Sequence, residues 1–92
     1  MPGHRATVYV GNLPWSTTED DLAALFAEFC SVVDVRVIQD RLTGRSRGYG
    51  FVELPSPEDV ARVVRALNGR RFNGRILVVS PARPKPRRHW PR

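Results

Sequence analysis

Cysteine occurs once, at Cys30. A single thiol cannot build an intramolecular disulfide framework, and it fits a reducing compartment. His4 and His89 are the only histidines, and with Cys30 they are too sparse for a zinc site. Lysine is nearly missing: Lys85 stands against fourteen arginines, a bias that points toward a GC-rich genome. No apolar run approaches the ~20 residues of a membrane span, and nothing near Met1 resembles the apolar core of a secretory leader. A catalytic cysteine would want a positioned base, and none is evident beside Cys30. These absences predict a cytoplasmic protein with no catalytic residue, metal, cofactor, membrane or small-molecule substrate.

The 92 residues suffice for one small domain, and 41% hydrophobic with 26% charged residues is a globular balance rather than a disordered one. The net charge is +6, but it is unevenly spread. Residues 83–92 hold five cations and no acid, so the rest of the chain carries only +1. Four prolines after Ser80 and this charge run predict an extended, mobile tail over 83–92. Residues 1–5 read as a flexible lead-in, and 6–82 as the domain. A basic tail attracts polyanions, nucleic acid above all.

Apolar spacing lays out six elements. Val8 to Val10 reads as a strand that stops at Gly11-Asn12. Thr18 with Asp21, or Ser16 with Glu19, fits a capping box. Leu22, Leu25, Phe26 and Phe29 then mark one face of a helix. The β-branched run Val32–Ile38 is a second strand, and residues 39–47 form a basic loop turning at Thr43-Gly44. Gly48–Leu54 is a third strand, ended by Pro55. Ser56 caps a second helix with Pro57 in its first position and Val60, Val63, Val64 and Leu67 on its apolar face. Asn68-Gly69 closes it, Phe72–Arg75 makes a tight turn, and Ile76–Val79 is the last strand. The order β-α-β-β-α-β predicts an α+β, ferredoxin-like sandwich, a four-stranded antiparallel sheet with both helices on one face.

Strand alternation then creates an oddity. If Val8, Val10, Val52 and Leu54 face the helices, Tyr9, Tyr49 and Phe51 face away. Strands one and three are central neighbours in this topology, so three rings gather on an uncovered face. Such clusters mark binding surfaces, and unstacked bases suit this one because every base has a π-face. Arg36 lies on the same face from the second strand, and Arg41, Arg45 and Arg47 lie in the adjoining loop. The tail, beginning at Arg83, leaves from the last strand. Aromatics ringed by cations fit single-stranded nucleic acid. Single-stranded DNA stays open beside RNA, since stacking needs no 2′-hydroxyl.

The octamer Arg47-Gly-Tyr-Gly-Phe-Val-Glu-Leu54 resembles the RNP1 sequence of the RNA recognition motif family at seven of its eight positions. Val8-Tyr-Val-Gly-Asn-Leu13 resembles the family's RNP2 hexamer. The departure is Leu54, where the family has Phe or Tyr. That position faces the core, so the change bears on packing. The likeness covers residues 6–82 and is similar to small, stand-alone bacterial members. It implies that Tyr9 and Tyr49 stack on successive bases, that Phe51 lies against sugars or a third base, and that Arg47 pairs with a phosphate. It places Asn12 and Arg36 at the border of the face and puts base-reading backbone groups at Ser80 and Ala82, where Pro81 removes a donor. The expected function is monomeric, non-catalytic binding of single-stranded RNA in post-transcriptional regulation.

Two other classes fit the residues less well. A protein–protein module on the same fold would have lost the motif rings, and all three are present. An acylphosphatase-like hydrolase would need a phosphate-cradling loop with matched Arg and Asn, and none is visible. Glu53 faces the open side, either to accept from a base or to pair with a nearby arginine. Trp15 is expected to pack over the helix start, Cys30 to fill a small buried site, and Trp90 to stay solvated.

Overall fold

A computed structural model describes residues 5–40, 42–43 and 46–82, with backbone only at Ser46 and Arg47. The expected tail 83–92, Arg83 and Trp90 within it, His4, and the loop residues Arg41 and Arg45 lie outside the described residues. In chain order the elements are β1 (Ala6–Gly11), α1 (Glu19–Ala27), β2 (Asp34–Gln39), β3 (Ser46–Leu54), α2 (Pro57–Leu67), β4 (Arg71–Phe72), β5 (Arg75–Ile76) and β6 (Val78–Ala82). Strands β2-β3-β1-β6 form one antiparallel sheet in that order, and β4 and β5 pair separately. This is the expected ferredoxin-like sandwich with a short hairpin added.

Both helices begin where the sequence asks. Thr18 caps α1: its hydroxyl accepts from Asp21 N–H at 3.1 Å, and the Asp21 carboxylate accepts from Thr18 N–H at 3.0 Å. This reciprocal box satisfies two otherwise orphaned donors and selects Thr18 over Ser16. Ser56 caps α2 by accepting from Asp59 N–H, with Pro57 in the first turn where no N–H is needed. Acidic residues fill both first turns, toward the positive end of the helix dipole.

One core lies between the helices and the sheet. Val8, Val10, Val52 and Leu54 from the central strands are fully buried against Leu22, Phe26, Val63 and Leu67. Each valine or leucine removed from water contributes about 1.5–3 kcal/mol, so this interleaving fixes which strand face points inward. A one-residue slip would bring the rings inside and the valines out.

Two expectations are corrected at element ends. Phe29 lies beyond α1, which ends at Ala27 with Glu28 as cap. It packs partly on the core, and the Arg70 guanidinium stands 5.9 Å from its ring centre. The apolar run Ile76–Val79 is not one strand. Asn73 and Gly74, both with positive φ (49° and 88°), make the tight turn that pairs β5 back on β4 and takes Ile76 with it. Leu77 turns into the core, bonded to Arg70 O at 2.9 Å, and only from Val78 does the chain join the main sheet.

Candidate nucleic-acid interface

The sheet face away from the helices is ordered in cross-strand rows. Arg36, Phe51, Tyr9 and Ser80 stand opposite one another across β2, β3, β1 and β6. The next row toward one end is Tyr49, Gly11 and Val78. The row on the other side is Asp34, Glu53, Thr7 and Ala82. The two central strands thus bring the rings from the two sequence motifs together, as alternation requires.

The rings form a mutual triangle. Their centres are 6.1 Å apart for Tyr9 and Tyr49, 5.9 Å for Tyr9 and Phe51, and 6.0 Å for Tyr49 and Phe51. Phe51 is inclined to the two tyrosines at 63° and 87°, an edge-to-face arrangement that suits the ring quadrupoles. All three are half-buried, shielded by one another rather than by a helix. Gly11 makes this possible: a Cβ there would collide with the Tyr9 ring. Its role as the floor under Tyr9 was missed in the sequence, although the spacing of two from Tyr9 carries the signal.

Arg36 is exposed beside Phe51, as expected, and Ser80 is half-buried beside Tyr9. Pro81 lies opposite Val8 on the edge strand β6, where a missing donor costs least. The Arg47 backbone lies in β3, its side chain outside the described residues, as Arg45 and Arg83 are altogether.

Asn12 is corrected. Its amide is already spent within the chain: Nδ2 donates to Ile76 O at 2.7 Å, and Oδ1 accepts from Arg75 Nε and Nη2 at 3.2 and 2.8 Å. Asn12 therefore latches the loop after β1 onto the β4–β5 hairpin, with the positive φ of 61° that asparagine tolerates. Arg75, its partner, carried no local sequence signal. Trp15, expected to pack over the helix start, is 59% exposed. Glu53 has found an arginine, Arg5, at 3.6 Å.

Cys30 is half-buried beside Phe26, near where it was expected. Burial, and then the Asp59 carboxylate, push its thiol pKa up, against a smaller opposing effect of Arg62. Among the described residues no group of His, Cys, Asp and Glu is arranged to hold a metal. A hollow of about 500 Å³ on α2, lined by Glu58, Ala61, Arg62, Arg65 and Ala66, contains no ring, and Arg62 there is tied to Asp59 at 2.8 Å. The hollow offers a base no aromatic ring to stack on.

Residues 8–78 match the family model described as the RNA recognition motif. The chain is 49% identical over 81 residues to the 29 kDa chloroplast ribonucleoprotein A of Nicotiana sylvestris, covering 88% of this chain and 30% of that protein. It thus spans under a third of the plant protein's length. It is 47% identical over 79 residues to RbpE of the cyanobacterium Nostoc sp., covering 86% of this chain and 80% of that one. Among solved structures it resembles the RNA recognition motif of Rna15 with bound RNA, with a TM-score of 0.77 and 34% identity over 83% of this chain and 81% of that one.

Proposed function

The chain belongs to the RNA recognition motif family, and from that premise we propose that it is a non-catalytic binder of short single-stranded RNA, engaged through Tyr9, Tyr49 and Phe51. The observation that carries this is the ring triangle on the helix-free face, with each centre about 6 Å from the other two. Bases of an unpaired strand slide over such rings, and each stack contributes about 1–3 kcal/mol. A duplex hides its base faces and cannot use them. Arg36 at one side of the rings supplies a cation for the backbone. The likeness to a relative solved with bound RNA supports RNA as the ligand.

The lone thiol and the polar rim around the rings support a cytoplasmic monomer acting on transcripts after synthesis. A concentration-independent dimer in sedimentation under reducing conditions would contradict the monomer. For the binding itself, a labelled single strand of RNA is titrated beside the same strand annealed to its complement. The single strand binds more tightly; equal affinity would refute stacking. A single-stranded DNA of the same sequence reports how much the 2′-hydroxyls add.

A further inference from the structure

The open face carries one feature that stacking leaves unexplained. In the row beside Phe51, Asp34 stands directly opposite Glu53, with Thr7 on Glu53's other flank. These three, with Arg36 and Phe51, bound a recess of about 260 Å³. Like charges directly opposite on neighbouring strands oppose folding. Two carboxylates on a polyanion-binding face also repel phosphates. Neither stability nor general affinity accounts for them. Arg5 reaches Glu53 at 3.6 Å but is itself 65% exposed, so the pair is weak and readily displaced.

The hydrogen-bonding character of the recess is specific. An ionised carboxylate only accepts, and a guanidinium only donates. Two acceptor side chains therefore stand beside one donor, against the wall of an aromatic ring. Among the four bases, guanine has the complementary edge: two neighbouring donors, N1–H and N2–H₂, beside one acceptor, O6. Adenine and cytosine offer one donor group next to acceptors, and uracil one donor between two acceptors.

We propose that this recess selects a guanine in single-stranded RNA, with Glu53 and Asp34 accepting from N1–H and N2–H₂ and Arg36 donating to O6 while the base lies against Phe51. This rests on the open face being the RNA surface and adds to it a base preference at one position. The carboxylates repel the backbone and attract this one base edge, so they exchange general affinity for selectivity.

The test uses the full chain and hexauridylate, which has little structure of its own. One guanosine replaces uridine at each position in turn, with adenosine, cytidine and inosine as controls. Guanosine at one position tightens binding roughly ten- to a hundredfold, and inosine, which lacks N2–H₂, recovers only part of that gain. Glu53→Ala and Asp34→Ala, both on the solvent face, erase the guanosine gain and leave hexauridylate binding unchanged or tighter. Guanosine that binds no better than uridine at every position, or a gain that survives both substitutions, overturns this inference alone. Hexauridylate binding that is indifferent to Tyr49→Ala overturns the ring-face reading and this inference together.

Discussion

Tyr9 and Phe51 stand directly opposite each other across β1 and β3, with ring centres 5.9 Å apart and planes inclined at 63°. They are the partners that Val8 and Val52, opposite each other one position along, force outward by being buried. The binding surface and the core are thus two consequences of one strand register. The fold cannot keep one and lose the other.

Removing a ring should therefore weaken binding without unfolding the domain. Tyr49→Ala and Phe51→Ala are each expected to cost about 1–3 kcal/mol of RNA affinity, the worth of one stack. Thermal unfolding should shift only modestly, because the rings shield one another and not the core. Anisotropy titration and calorimetry on the same samples check both halves. Unfolding without RNA, or unchanged affinity, would mean the rings are structural.

Asn12 should behave in the opposite way. Asn12→Ala loses the bonds to Ile76 and Arg75 and leaves alanine at positive φ, a combined cost of about 1–3 kcal/mol in folding stability. Urea unfolding measures it. RNA affinity of the folded fraction should stay near that of the parent, since the amide is committed to the hairpin.

Cys30 is predicted to be a slow thiol. Burial and Asp59 favour its neutral form, and only the thiolate is alkylated. Iodoacetamide at pH 8 should label the folded chain more slowly than the chain in urea. The linkage has a fixed sign. A pKa raised on folding gives stability that is fully present below the unfolded thiol's value and is lost as pH climbs through the folded one. Labelling at equal rates in both states would contradict this.

Residues 83–92 should add affinity without choosing bases. Their five cations meet a body of net +1. If two or three engage phosphates, ending the chain at Ala82 flattens the slope of log K against log salt by about 1.4–2.1. Relative affinities among short oligomers stay as they were. Tighter binding after the deletion would mean instead that the segment, through Trp90, covers the rings.

Much of this was legible in the sequence, because the governing patterns are local. Val8-Tyr9-Val10 and Phe51-Val52-Glu53-Leu54 alternate with the period of a strand, so the two faces separate on inspection. The Thr18 and Ser56 caps lie within three residues of their partners. What escaped depends on distant or competing neighbours. The Asn12 latch joins residues 63 and 64 positions away. The break in Ile76–Val79 arises because a hairpin and an edge strand both claim an apolar run, and the burial of Leu77 decides between them. Trp15, expected to pack over the helix start, stands 59% exposed in the loop before α1.

The most direct test maps where RNA touches. Backbone and aromatic NMR signals are followed while a short unlabelled single strand is added to the labelled full chain. The ring-face account predicts the largest shifts at Tyr9, Tyr49 and Phe51, with Arg36 and Ser80 following, and little change at Glu58, Arg62 and Arg65 on α2. Shifts concentrated on α2, with the three rings unmoved, would contradict it.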